Sequence, residues 1–414
     1  MSLSVDTMRQ VDRIAGIPLC ALATPFVKLI DRFRPSSLAK QPPRKILFIE
    51  LSEMGSAILV DPAMREAMQR GAEIYFLIFK SNAQSLELLQ TVPAERILTL
   101  DSSSLVSLAR DTLKYLWKVR KLKIDTVIDL ELFSRFTALL TGLSGAVHRV
   151  GYHIFHGEGL WRGDMLTRKV HYNPHIHIAK NFLSLVHAAY ATELEVPFSK
   201  VQIPDSALEL AQAPVTETQK TDMLVRIKEF AQFHNVEFDM LRTPVILVNP
   251  NASELLVQRR WPKHLFAQLI DAILDKWPHA LVLLTGSPSE YDYVDDVRLM
   301  SKSSRALNFA GQVKFKELPA LYSVSAVMIT NDSGPGHFAA ITTLKTVVLF
   351  GPETPALYGA LGKRSIPVTA QLACSPCVSA ANHRKTACTD NVCMKSITVD
   401  QVMTAVSKHL EDVQ

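Results

Sequence analysis

From Lys45 onward the chain alternates short, unbroken apolar runs with longer stretches of helical period. The runs cover residues 46–51, 74–79, 97–100 and 126–130, and helical stretches ending near Arg70 and Lys121 lie between them. Runs that are apolar from end to end, without the alternation of a half-exposed strand, predict strands buried on both faces of a parallel sheet. A second series with the same grammar occupies residues 245–249, 280–286, 326–330 and 346–350. Between the two series, residues about 200 to 243 are polar and lack strand runs. The pattern therefore predicts an α/β protein of two doubly wound domains. The expected divisions are a segment over 1–40, a first domain over 41–205, an interdomain region over 206–243, a second domain over 244–397 and a last amphipathic helix over 398–414, packing back across the junction.

Ahead of the first strand the period changes. Met8, Val11, Ala15, Leu19, Leu22, Phe26, Leu29 and Phe33 recur every three or four positions, with Arg13, Lys28 and Arg32 off that stripe. This predicts a basic amphipathic helix bent near Pro18, suited to an anionic membrane surface. Packing on the first domain and a cleaved signal segment are the alternatives. No apolar run reaches the roughly 20 residues of a membrane-spanning helix. Eight Lys/Arg against three Asp in residues 1–45 account for the whole net charge of +5. The remainder is neutral, which argues against a nucleic-acid partner. The expected location is cytoplasmic, peripheral at the inner face of the plasma membrane.

Doubly wound sheets bind ligands outside the carboxyl ends of their strands, so two of them facing a central cleft place the chemistry there. The most informative stretch is Thr330-Asn331-Asp332-Ser333-Gly334-Pro335-Gly336-His337, at the exit of a strand and the start of a helix. Gly334 and Gly336 let backbone approach a pyrophosphate, Asp332 and Ser333 can bond sugar hydroxyls, and His337 can reach a phosphate or the sugar. A helix cap made by Asp332 or Ser333 explains the same residues equally well. Asn249-Pro250-Asn251 also leaves a strand and leads to Arg259-Arg260-Trp261-Pro262, where an arginine can neutralise a diphosphate leaving group. Cys374, Cys377, Cys388 and Cys393 have spacing that can hold a structural Zn²⁺, with free thiols or disulfides as the alternative. His171, His175 and His177 read as a polar rim. Arg135, Arg149 and Tyr152 are placed to meet an acidic acceptor.

Taken together these stretches resemble glycosyltransferase family 9, the lipopolysaccharide heptosyltransferase family, over residues 45–394. The resemblance rests on Asn331-Asp332-Ser333-Gly334-Pro335-Gly336-His337, on Arg259-Arg260-Trp261-Pro262 and on Phe350-Gly351-Pro352, in the family's order. It implies a GT-B architecture of two Rossmann-like domains, the N-terminal one binding the acceptor, a glycolipid or polysaccharide, and the C-terminal one the nucleotide-sugar donor. It also implies inverting transfer of a sugar, by family default heptose from ADP-heptose, with no cofactor required. Donor contacts would fall on Asn249, Arg259, Glu290, Asp332, Ser333, Gly334, Gly336 and His337. One position departs from the pattern: Ser56 stands where the family carries its aspartate base. A serine hydroxyl is too weak a base near neutral pH. Glu53 in the same loop is the substitute candidate, with Glu131 behind it.

Two enzyme classes and one non-enzyme compete with transfer. A UDP-sugar 2-epimerase can share the two-domain fold. An NAD-dependent oxidoreductase is disfavoured because neither first strand is followed by G-x-G-x-x-G. A catalytically degenerate nucleotide-sugar-binding protein is compatible with Ser56.

Overall fold

The computed structural model describes residues 5–51, 54–155, 160–193, 195–379 and 385–411. The chain forms two compact units, residues 1–209 and 210–414. In the first, strands β1 (Lys45–Ile49), β2 (Glu73–Phe79), β3 (Ile97–Leu100), β4 (Thr126–Asp129), β5 (His148–Tyr152) and β6 (Arg168–Val170) form a parallel sheet in the order β3-β2-β1-β4-β5-β6. In the second, β7 (Val245–Asn249), β8 (Leu281–Leu284), β9 (Ala306–Asn308), β10 (Val327–Asn331), β11 (Lys345–Phe350) and β12 (Ser365–Thr369) are ordered β12-β11-β10-β7-β8-β9. Counted within its own six, each sheet has the same order. Its winding reverses between the first and fourth strands, β1 and β4 in one unit, β7 and β10 in the other. That reversal is where such sheets open a ligand crevice.

Strands β7 and β10 are buried from end to end, and β1 and β2 from their second residue on, as their apolar runs require. Four strands had no such run. The buried strand β5 carries His148 and Arg149, whose polar atoms are bonded internally, while β12 is a half-exposed edge containing Pro367.

The N-terminal stripe forms α1 (Val5–Arg32), one helix with Pro18 and Pro25 inside it. Over Thr7–Arg32 it is long and apolar enough, by length and composition alone, to cross a bilayer. Asp12, Arg13 and Lys28 hid this from the count of unbroken runs. Farther along the chain, past shorter helices, lie α2 (Leu105–Lys121) and α3 (Arg135–Leu143). Helix α1 packs along α3 through small and charged residues. Asp12 pairs with Arg135 at 3.3 Å and accepts from the Phe136 amide at 2.9 Å. A Cβ on Gly16 would lie 2.8 Å from that of Arg135. Cys20 and Val27 are buried with Ala138 and Met165, and Asp31 binds Arg149. Arg135 and Arg149 are thus committed to anchoring α1, which corrects their expected role toward an acceptor. Tyr152 is buried against the ring of Tyr172.

In the second unit α4 (Lys263–Lys276) and α6 (Val399–Leu410) cover one face of the sheet, and the short α5 (Gly334–Ala340) follows β10. Val402, Ala405, Val406 and Leu410 of α6 complete a core shared with Trp261, Phe266 and Ile270. The last helix was expected to pack across the junction. Its apolar face instead closes the core of its own unit.

Candidate functional site

At the second reversal point two asparagines set the frame. Asn331, the last residue of β10, is fully buried. Its Nδ2 donates to the carbonyls of Pro250 (2.9 Å) and Asn251 (3.2 Å), and its Oδ1 accepts from the Trp261 amide at 3.0 Å. One side chain therefore pins the loop after β7 and the 259–261 turn to the end of β10. Trp261 locks the turn from below, its indole N–H donating to the Ile397 carbonyl at 3.0 Å. Asn249 donates to Thr285, and Asn251 donates at 2.5 Å to Glu290, whose other oxygen accepts from the Ser287 amide. Asn249 and Glu290 thus join neighbouring loops, while Asn251 and Asn331, present in the quoted motifs without an assigned role, are framework residues.

Within this frame the structure brings together Arg259, Asp332 and Glu353. The Arg259 guanidinium lies 3.7 Å from the Asp332 carboxylate. That is an ion pair but too long for a hydrogen bond. Among the described residues neither Asp332 Oδ2 nor Arg259 Nε has a hydrogen-bond partner, although both atoms are buried. Buried polar atoms are nearly always bonded, so this open donor and open acceptor side by side need a reason. Burial pushes the Asp332 carboxyl up to about 6 against the pull of Arg259. Glu353, buried in the turn after β11, is pushed up to about 8 by burial, with the Asp332 charge adding to the shift and Arg259 opposing it. At neutral pH Glu353 thus holds its proton. The Phe350-Gly351-Pro352 turn entered the resemblance as a strand end alone, and Glu353 just beyond it drew no reading from the sequence. Its place at a strand end beside β10 is the clue that could have found Glu353.

Ser333 sits at the N-cap position of α5, but its side chain makes no capping bond and donates to the Asn331 carbonyl at 3.1 Å. Asp332 faces Arg259, so neither residue serves as the cap that would have explained them away. The space left by the two glycines is filled from within. A Cβ on Gly334 would lie 3.0 Å from the Phe338 ring, and Gly336 packs on Val348. Internal packing thus also accounts for glycine at both positions. His337 is half-buried in the same short helix. Arg260 turns away, bonding the Ala252 carbonyl and Glu254 and covering the Tyr293 ring.

The cysteine segment buttresses the arginine turn: the Cys388 carbonyl accepts from Gln258, and Asn391 donates to the carbonyls of Gln258 and Arg260. Among the described residues no group of three or more His, Cys, Asp or Glu is arranged to hold a metal. The expected zinc set at Cys374, Cys377, Cys388 and Cys393 is corrected accordingly. Cys374 is exposed, Cys388 bonds the Asp390 carbonyl and Cys393 is buried. Of the three histidines, His177 accepts from the Ala179 amide at the start of a helix.

In the first unit Ser56 is buried in the short helix Met54–Leu59. Glu53 lies outside the described residues. Glu131 accepts from the Leu51 amide at 3.1 Å, which ties down the loop after β1. Asp129, at the end of β4, is a buried carboxylate that the pattern of runs concealed inside a strand. It binds Arg162 and accepts from the Thr137 hydroxyl and the Glu131 amide.

The family model described as glycosyltransferase family 9 (heptosyltransferase) matches residues 113–387, well over half of the chain. Lipooligosaccharide heptosyltransferase 2 of Campylobacter jejuni subsp. jejuni is 25% identical over 170 residues, covering 40% of this chain and 51% of that protein. Lipopolysaccharide heptosyltransferase 2 of Escherichia coli is 28% identical over 115 residues, covering 27% and 32%. The chain thus spans about half the length, or less, of these curated relatives. Among solved structures, E. coli ADP-heptose lps heptosyltransferase II superposes with a TM-score of 0.67 at 19% identity, over 89% of this chain and 99% of that one. E. coli heptosyltransferase WaaC with ADP gives 0.59 at 15% identity, over 88% and 99%. These similarities establish the two Rossmann-like domains as a GT-B fold.

Proposed function

The chain belongs to glycosyltransferase family 9 (heptosyltransferase), and on that premise we propose that it moves heptose from ADP-heptose onto a lipopolysaccharide-core or related glycolipid or polysaccharide acceptor. The observation that carries the reading is the pair of half-buried Arg259 and buried Asp332, left with an unused donor and an unused acceptor at the reversal point of the second sheet. A sugar diphosphate matches both. Its phosphate oxygens accept from Arg259, and a sugar hydroxyl donates to Asp332. A protonated Glu353 keeps a second carboxylate from repelling the phosphates. The names of the superposing structures, one with ADP and one an ADP-heptose enzyme, support the choice of donor.

In this reading the acceptor hydroxyl oxygen attacks the anomeric carbon as the bond to the diphosphate breaks, inverting that centre. The hydroxyl proton passes to Glu53, and ADP leaves with its developing charge against Arg259. Ser56, at the family's aspartate position, lacks the basicity to take that proton. Glu131 stays engaged with the Leu51 amide. No cofactor enters the scheme. We place the reaction at the cytoplasmic face of the plasma membrane, with residues 1–40 against anionic lipid.

The test is to incubate the full chain with ADP-heptose and a heptose-deficient core acceptor, following ADP release and acceptor mass. The reading requires a gain of one heptose, and a loss of about 10²-fold or more in Glu53→Gln. Nucleotide binding without any turnover would favour a degenerate binding protein. Conversion of a UDP-sugar with no acceptor added would favour epimerisation.

A further inference from the structure

Helix α1 is docked by the face that an amphipathic pattern would leave outside. The positions it sets against the first unit include Asp12, Gly16, Cys20, Thr24, Val27 and Asp31, compact or charged and three or four residues apart. Its large apolar residues mostly point outward, with Ile14 67%, Leu22 72%, Phe26 57% and Leu29 57% exposed. The neighbouring α2 repeats the inversion. Val106, Leu113 and Trp117 are 80%, 69% and 63% exposed, at spacings of seven and four that put them on one stripe. Monomeric proteins rarely leave apolar surface so contiguous without a use. Between the two helices, floored by α3, runs an apolar groove of about 410 Å³ lined by Leu19, Leu22, Phe26, Leu116, Leu139 and Leu143.

The charge around this face selects the occupant. Arg110, Lys114, Lys118, Arg120 and Lys121 line α2, with Asp111 its one acidic residue, and Lys28 and Arg32 rim α1. Lys121 stands over the Trp117 ring at 4.7 Å. Apolar side chains flanked by cations, with aromatics among them, match the boundary between acyl chains and anionic headgroups. We propose that α1 and α2 together lie in the interface of an anionic bilayer and that the groove between them takes a phospholipid acyl chain. The inference rests on the reading that the chain works at a membrane surface, and extends the docking face from residues 1–40 to α2 and α3.

The experiment is sedimentation of the full-length protein with vesicles of phosphatidylglycerol and phosphatidylethanolamine, against vesicles of phosphatidylcholine alone. Binding is expected to the anionic vesicles, weakening with salt. It should fall by about tenfold or more in Leu113→Glu/Trp117→Glu and in Phe26→Glu. Acyl chains brominated near the headgroup should quench the emission of the wild type more than that of Trp117→Phe. Thermal melts and ADP-induced stabilisation serve as the fold controls. Vesicle binding unchanged in the charged variants would overturn the proposal. So would the absence of binding by the wild type, or a dimer in light scattering that the variants dissociate, since a second copy would then cover the face. Transfer to a deacylated, water-soluble acceptor separates the two readings. It should be intact in these variants, and its failure in the wild type would count against the transferase reading while leaving vesicle binding to stand.

Discussion

The fourth strand of each sheet delivers a buried carboxylate to a reversal point with an arginine beside it, yet the two pairs are finished differently. Burial pushes Asp129 and Asp332 alike up to about 6. Asp129 is then saturated: Arg162 binds it directly, the Thr137 hydroxyl and Glu131 amide donate to it, and Arg162 spends its other N–H groups on the carbonyls of Ser134 and Glu131. Asp332 has Arg259 at 3.7 Å and an oxygen with no bond among the described residues. Two carboxylates of similar burial, each beside an arginine, are thus finished in two ways. The closed network holds its unit together, and in the proposed reading the open one receives the donor.

The largest effect expected from this contrast is on stability. Arg162→Ala leaves the Asp129 charge buried and unpaired, and should cost about 3–5 kcal/mol in thermal or urea unfolding. Arg259→Ala touches an incomplete pair, so its melting temperature should stay close to wild type while turnover falls by about 10²–10³-fold, as for a lost transition-state donor. If Arg259→Ala proved as destabilising as Arg162→Ala, the contrast would collapse.

A smaller effect is set by pH. The folded Glu353 carboxyl keeps its proton to about pH 8, whereas an ordinary glutamate loses it near 4.5. The native state is therefore the more protonated one between those values. Stability contributed at this site is present below the ordinary value and is lost as pH climbs through about 8. Ionised Glu353 also repels a diphosphate, so ADP affinity should fall by about tenfold from pH 7 to 9. Glu353→Gln should flatten both profiles, and an unchanged slope in that variant would remove Glu353 from the site. The smallest effect belongs to Ser333→Ala. Removing a capping side chain costs about 1 kcal/mol, but Ser333 makes no cap bond. The variant should melt within about 0.5 kcal/mol of wild type.

The inner strands could be read from the sequence because a strand buried on both faces has no choice but a continuous apolar run. Strand β5 escaped because Arg149 satisfies its guanidinium on the nearby Ala146 carbonyl and on the Met165 carbonyl and Asp31, the last two farther off in the chain where no local pattern reveals them. Helix α1 was legible as two-sided, but its pattern did not tell which side docks. In α6 the apolar face is buried, whereas in α1 small residues dock and large ones stay outside. Arg259 and Asp332 were legible because strand exits and an arginine turn leave local marks. Glu353 joins them only through the pairing of β10 with β11.

The central claim is that the open Arg259–Asp332 pair holds a nucleotide diphosphate. Titration calorimetry of ADP, UDP and GDP into wild type and Arg259→Ala tests it most directly. The account predicts one site preferring ADP, lost in Arg259→Ala at unchanged melting temperature. Equal binding by the variant, or no nucleotide bound by the wild type, would contradict it.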